Sequence, residues 1–382
     1  MAKKDAPEST AATVLREPAE VRHADQLEAL RQNDADTPPQ AWKLSPRSVF
    51  TYIVGGKPLK AKVDGKAIEV PITRKFFGED SLVERAIVTL ASERALLLVG
   101  EPGTGKSYLS EHLAAAITGN SCLTIQGTAG TTEEHIKYAW NIARVIAEGP
   151  RPENLIPAPT MVAMRDGGLL RFEEITRCVP DVQDALVSIL SDKAIAVPEL
   201  PDHNMVWARP GFNVIATANT RDQGVNELSA ALKRRFNYIY IPVVADQKTE
   251  IEIVQQRSTE LLSRYDIPTK LTPPVIELLA TVFRELRQGK TAEGVSIKKP
   301  TTTLSTAEAI GTALDAALHA RFFGGKPAGP EHIARNLVGS IVKEDLNDLD
   351  VLKEYVVLVG KKRAANNKVW KEFHDTLLAE LR

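Results

Sequence analysis

Gly100-Glu101-Pro102-Gly103-Thr104-Gly105-Lys106-Ser107 have the residue types and spacing to hold a chain of phosphates. The glycines allow successive backbone N–H groups to converge into an anion-binding nest. Lys106 can reach the β and γ phosphates, and the Ser107 hydroxyl can ligate Mg²⁺. An apolar run at residues 95–99 precedes the loop and suits a buried parallel strand. A helix with Leu109, Leu113, Ala114 and Ile117 on one face follows, offering its positive N-terminal end to the phosphates. Gly119 is placed to end that helix.

Such a loop needs carboxylates at the end of another core strand, to hold the metal and polarise water. Leu169-Leu170-Arg171-Phe172-Glu173-Glu174 is the candidate: Glu173 for the metal, Glu174 to orient or deprotonate the attacking water. A third apolar strand, residues 212–218, ends at Asn219, where a side chain that senses the γ-phosphate is wanted. Lys233-Arg234-Arg235 then precedes Phe236. An arginine there can reach a neighbouring subunit's nucleotide and stabilise transition-state charge.

The elements that must position these residues come from 382 residues, 43% hydrophobic and 25% charged. At roughly 150 residues per domain that means two or three domains. Forty-eight basic residues against 49 acidic ones leave a formal charge of −1, and aromatics are 5%. That balance argues against a dedicated nucleic-acid binder. Cys122 and Cys178 show no metal or disulfide spacing. The charged N-terminus leads into no apolar signal region, and no run is long enough to span a membrane, so a cytoplasmic protein is expected.

Residues 1–45 have few large apolar side chains and read as a mobile arm, with a short helix at residues 19–31. Residues 46–75 read as a small β-rich lead-in: strands at 48–54, 60–63 and 67–70 around Gly55-Gly56 and Asp64-Gly65. Ser81-Leu82-Val83-Glu84 has capping-box spacing for a helix. Thr131 to Glu134 has the same spacing before a helix with Ile136, Ala139, Trp140 and Ala143. Val182, Ala185, Leu186, Ile189 and Leu190 form a buried helical stripe from about Asp181. The seven His are scattered and suit surface or capping roles. The acidic cluster Glu344, Asp345, Asp348 and Asp350 reads as a solvated loop, and residues 375–382 as a terminal helix.

Together these blocks resemble the AAA+ ATPases, specifically the MoxR branch and its dynein-related neighbours, over about residues 76–322. Residues 100–107 match Walker A, 169–174 Walker B, Asn219 sensor 1, and Arg235 the arginine-finger position. By the same likeness, Phe77 and Gly78 lie near adenine, and Tyr108 follows the loop at the nucleotide. Residues 126–134 resemble an insertion facing a central pore, and residues 194–208 a hairpin insertion before sensor 1. The resemblance implies an α/β P-loop NTPase fold, an αβα core with a five-stranded parallel sheet at 76–246. It further implies an all-α lid at 247–324, followed by C-terminal helices at 325–382.

The family's activity would then be ATP hydrolysis with Mg²⁺, by a homo-oligomer, usually a hexameric ring that shares fingers in trans. MoxR-like ATPases are chaperone-like, acting on protein substrates and often with a separate von Willebrand factor A protein. Walker B normally ends Asp-Glu, whereas here it is Glu173-Glu174. Arg171 interrupts an apolar strand, and Ala307 falls where relatives carry a sensor 2 arginine. These departures favour nucleotide binding over fast turnover. Two alternatives stay open. Residues 218–222 and 232–236 also resemble the GTPase subunit of McrBC-type restriction systems, a motor working with a nuclease on DNA. The other is a nucleotide-gated scaffold with little hydrolysis.

Overall fold

The structure, a computed structural model, describes residues 14–63, 65–200, 204–220, 226–264, 271–301, 304–324, 327–343 and 345–382. Composition misleads first at the N-terminus. The short helix expected at residues 19–31 forms, as α1 (Ala19–Arg22) and α2 (Ala24–Gln32) broken at His23, but it packs on the fold instead of belonging to a mobile arm. Their charges have partners: Arg22 and Arg16 pair with Glu111, and Glu20 accepts the Ser121 N–H at 3.1 Å. Ala29 and Leu30 are buried. Ion pairs and a small apolar face thus offset the ordering entropy that composition alone leaves unopposed. Residues 1–13 of the expected arm lie outside the described residues.

The stretch read as a strand at 48–54 is instead α3 (Pro46–Val54). Ser45 caps it, accepting the Ser48 N–H at 3.3 Å, and Pro46 occupies the first turn. Val49, Tyr52 and Ile53, spaced i, i+3 and i+4, are buried, so cap and periodicity override β propensity. The hairpin that follows is as expected: β1 (Leu59–Val63) pairs antiparallel with β2 (Lys66–Val70), and Gly65 turns with φ 77°. The next helix, α4 (Asp80–Leu90), starts one residue before Ser81, with Glu79 at its cap and no Ser81–Glu84 box.

The core sheet begins with β3 (Ala95–Gly100), followed by α5 (Lys106–Thr118) and β4 (Thr124–Gln126). The helix expected through Trp140 does not form. Instead α6 (Glu133–Ile136) stops after one turn, capped from Thr132 rather than Thr131, with His135 Nδ1 accepting the Thr132 N–H at 3.0 Å. β5 (Tyr138–Trp140) follows, then α7 (Ile142–Glu148) and β6 (Leu155–Pro157), which pairs antiparallel with β5. Cross-strand pairing takes residues that a continuous helix would have used.

The chain continues through α8 (Pro159–Asp166), β7 (Leu169–Glu173) and α9 (Pro180–Asp192). The expected hairpin follows, β8 (Ala194–Ala196) antiparallel to β9 (Met205–Trp207). Its turn residues 201–203 lie outside the described residues. Then come β10 (Asn213–Asn219), α10 (Ala230–Lys233) and β11 (Phe236–Ile241). The five-stranded parallel sheet has the order β11-β3-β10-β7-β4. Leu96, Leu98, Leu170, Phe172, Val214, Ile215 and Ala216 fill it at essentially zero exposure, as suits strands covered on both faces.

The chain divides into two compact units. One comprises residues 1–98, 107–218 and 222–239; the other comprises 99–106, 219–221 and 240–382. After β11 the second unit is helical: α11 (Gln247–Arg264), α12 (Pro273–Gln288), α13 (Thr306–His319), α14 (Pro330–Ile341), α15 (Asp348–Tyr355), α16 (Lys361–Ala364) and α17 (Lys368–Glu380). One apolar cluster runs from Val254 to Leu381, so the boundary expected at 324 falls inside a single core. Arg287 forks onto buried Glu250, at 2.8 and 3.0 Å, and Arg363 onto Glu285, at 2.7 and 3.0 Å.

Asp348 does not sit in a solvated loop: it is buried and accepts the Thr301 N–H at 2.8 Å and hydroxyl at 2.9 Å. Glu344 of that cluster lies outside the described residues. His112 likewise is buried, 2.9 Å from the Tyr52 hydroxyl, while His332 is buried in a capping role. Among the described residues no helix is long and apolar enough to cross a membrane.

Candidate functional site

The phosphate loop follows β3 without an intervening residue. Gly103 and Gly105 have φ of 74° and 85°, the left-handed backbone that turns N–H groups to one side. A side chain on Gly100 would stand 2.5 Å from the Ile241 carbonyl, so this glycine permits strand contact as well. Lys106 is 6% exposed, and its Nζ donates to Gly100 O at 3.1 Å and Glu101 O at 2.7 Å. Thr104 Oγ1 also donates to Glu101 O, at 2.9 Å. Pro102 is half-buried. Within the same unit Gly103 crowds the start of α13: an added Cβ would lie 2.3 Å from Ser305 Cβ and 3.6 Å from Ala307 Cβ. The position matched to sensor 2 therefore lies beside the loop and carries only a methyl group.

In the first unit, Ser107 is exposed in the first turn of α5, and the Tyr108 ring lies 4.2 Å from that of His112, centroid to centroid, tilted by 55°. Ser107 Oγ donates to Glu173 Oε2 at 2.7 Å. Thr217 Oγ1 donates to the same oxygen at 2.8 Å. Ser110 Oγ and Arg171 Nη2 take the other oxygen, Oε1, at 2.6 and 2.9 Å. Glu173 is 4% exposed, and these donors offset the cost of burying its charge. Glu174, next along, adopts left-handed backbone at φ 53°, uncommon outside glycine. Its N–H donates to Thr217 Oγ1 at 2.9 Å, and its carboxylate pairs with Arg177. Gly127 lies against this turn. Its N–H donates to Glu173 O at 2.7 Å, and a Cβ would meet Glu174 O at 2.4 Å.

These residues fit Mg²⁺. Ser107 and Glu173 offer hard oxygen donors side by side, and the described residues contain no larger cluster of metal-binding side chains. Mg²⁺ takes one or two carboxylates with phosphates and water rather than an all-protein cage.

The other expected residues lie as follows. Arg74 reaches over the Phe77 ring at 5.9 Å and donates to Gly78 O at 3.1 Å, which fixes that short element. Asn219 is the half-buried end of β10. Arg235 turns back on its own subunit, donating to Ser191 Oγ and Ala231 O, whereas Lys233 and Arg234 are exposed. Residues 221–225, including part of the McrBC-like stretch, lie outside the described residues.

Thr217, Ser110, Gly127 and Arg177 escaped the sequence reading. Two of them carried a signal. Thr217 precedes Asn219 by two residues on a strand, hence on the same face, and Ser110 follows Ser107 by three on a helix.

Residues 95–236 match the family model described as AAA domain (dynein-related subfamily), and residues 248–379 match that of the YehL-like AAA+ ATPase C-terminal domain. The uncharacterized protein YehL of Escherichia coli (strain K12) is 43% identical over 363 residues, 94% of this chain and 96% of that one. The gas vesicle ATPase GvpN of Haloferax mediterranei is 27% identical over 210 residues, 51% of this chain and 57% of that one. This chain thus spans little more than half of GvpN. NtrX from Brucella abortus, solved in complex with ATP, is 12% identical at TM-score 0.46 over 80% of this chain and 70% of that one, too loose a likeness to carry an argument.

Proposed function

We propose that this chain, which belongs to the YehL-like AAA+ ATPases of the MoxR type, binds ATP with Mg²⁺, hydrolyses it, and uses the cycle to rearrange a protein partner. The observation that carries the reading is local. The residue after the loop lysine, Ser107, hydrogen-bonds a strand-end carboxylate, Glu173, and the next residue in the chain, just past the strand, is a second carboxylate. The name of GvpN, a gas vesicle ATPase, supports hydrolysis by a relative of the core.

In this reading the loop N–H groups and Lys106 hold the β and γ phosphates. Ser107 and Glu173 hold Mg²⁺, which screens the phosphate charge. Glu174 orients a water and accepts its proton at a carboxylate oxygen. Asn219 contacts the γ-phosphate, and Phe77 and Gly78 lie near the adenine. Arg235 serves the next subunit of a closed, hexameric ring. Its present partners, an exposed hydroxyl and a helix carbonyl, are both open to water, which can replace them on release. A von Willebrand factor A protein in trans suits the role of partner. Cytoplasmic work follows from the same reading.

The test is phosphate release by the purified chain with ATP or GTP, with and without duplex DNA, alongside its solution mass with and without nucleotide. ATP turnover by an oligomer is expected. A GTP preference or DNA-stimulated turnover would replace this reading with the nuclease-coupled motor, and binding without turnover would leave only a scaffold.

A further inference from the structure

Arg171 stands in the middle of β7, between Leu170 and Phe172, which are fully buried. A cation in such a strand is costly unless every polar edge is used. Here every nitrogen of the guanidinium is used. Nη2 donates to Glu173 Oε1 at 2.9 Å and to Ser107 O at 3.1 Å. Nε donates to Ser110 Oγ at 3.0 Å, and Nη1 to Ser121 O at 2.9 Å. Ser110 Oγ in turn donates to the same Glu173 oxygen at 2.6 Å. Arg171 and Glu173 are two residues apart on one strand and so share a face. One carboxylate oxygen, Oε1, is claimed by this clamp, and the other, Oε2, faces Ser107 Oγ and Thr217 Oγ1.

We propose that Arg171 is a positioning residue, which locks the Glu173 side chain so that Oε2 alone is presented beside the Ser107 hydroxyl to the divalent cation that accompanies the nucleotide. The inference rests on the nucleotide reading above and concerns how this chain accommodates Glu where Asp is usual. Glu adds a methylene and a rotatable bond, and so conformational freedom that must be lost on metal binding. The clamp removes that freedom beforehand. Only a planar fork can meet Oε1, Ser107 O, Ser110 Oγ and Ser121 O together, so lysine is no substitute. The Arg171 charge also opposes a nearby cation, so the clamp acts by geometry and not by attraction.

The experiment uses the full chain, a fluorescent ADP analogue and titrated MgCl₂, with Mn²⁺ paramagnetic resonance as a direct count of bound ion. Arg171→Lys and Arg171→Met should each raise the divalent concentration for half-saturation by about 10-fold, the usual scale for residues supporting a metal ligand. Binding of the analogue in EDTA should stay within about 2-fold of wild type, because the clamp reaches the loop only at the Ser107 carbonyl and makes no hydrogen bond to Lys106 or to the loop N–H groups. In a Glu173→Asp background, Arg171→Met should add less than about 3-fold, since the shorter carboxylate no longer reaches the clamp.

An unchanged or lowered divalent requirement overturns the proposal. So does a parallel loss of binding in EDTA, which would mark a purely structural role. If Arg171→Met fails to fold, Arg171→Lys carries the test, and failure of both assigns Arg171 to stability and overturns it as well. A wild-type chain that binds no nucleotide refutes the proposed function itself. Mg²⁺-dependent binding that the variants fully share refutes only the role of Arg171.

Discussion

Arg177 closes an ion pair onto the Glu174 carboxylate from three residues along the chain, across a turn that Glu174 enters in left-handed backbone. The carboxylate proposed for water activation is thus held by a partly exposed cation, while its neighbour Glu173 is held by the buried hydroxyls of Ser110 and Thr217, the exposed hydroxyl of Ser107 and the half-buried Arg171. Adjacent, chemically identical residues thus stand in different surroundings.

Glu174→Gln should keep ATP binding within about 2-fold and lower turnover by about 100-fold or more, the scale of losing a general base. Equilibrium binding and steady-state phosphate release check it. Full turnover would mean that another group orients the water.

Lys106→Ala should weaken ATP binding by at least about 10-fold, as expected for removing a charge-assisted contact to phosphate. Titration of a fluorescent nucleotide reads this directly. Wild-type affinity would dismiss the loop as the phosphate site.

Arg235→Ala should bind ATP normally but lose turnover by about 1,000-fold if it acts in trans. Mixing it with Glu174→Gln should restore part of the activity, because mixed rings contain some sites with both groups intact. Absence of rescue, with a monomeric mass, would argue against a shared site.

Arg22→Met should destabilise the first unit by about 3 kcal/mol, because it leaves Glu111 buried with a single, largely exposed partner, Arg16. Urea unfolding with an unchanged slope would show this. A change below about 0.5 kcal/mol would mean that the N-terminal helices contribute little to the fold.

Acid should weaken the helical unit through Glu293. The Arg363 guanidinium holds its carboxyl down to about 2, from the usual 4.5. A lowered folded pKa gives stability that is fully present above about pH 4.5 and lost as pH falls towards 2. Glu293→Gln should therefore be less stable than wild type near neutral pH, with the gap closing on acidification. Urea midpoints measured across that range test the sign, and a gap that widens in acid would contradict it.

The phosphate loop, the strand before it and the helix after it are legible in the sequence because each is a local pattern: glycines at set spacing, an apolar run, a helical stripe. The same is true of the hairpins at Gly65 and between Ala196 and Met205, and of the strand that ends at Asn219. Patterns that compete locally misled. The β-branched run before Gly55 reads as a strand, yet Ser45 and Pro46 start a helix there. A capping box does form, one residue on from Thr131 at Thr132, but its helix ends at Ile136 and β5–β6 pairing takes over from Tyr138.

By itself, then, the sequence determined the order of chemical parts: loop, lysine, hydroxyl, paired carboxylates, terminal amide. Tertiary structure alone decided how they are held. Residues 19–32 are tied to Glu111 and Ser121 by contacts 89 and 101 residues apart in the chain. The clamp on Glu173 joins groups from α5, β7 and β10, the loop before β4 and, through Gly127, the turn after it. Charge burial is a property of what surrounds a side chain in space, and no spacing along the chain encodes it. Arg171 therefore reads as an interruption in an apolar strand until the fold supplies its partners.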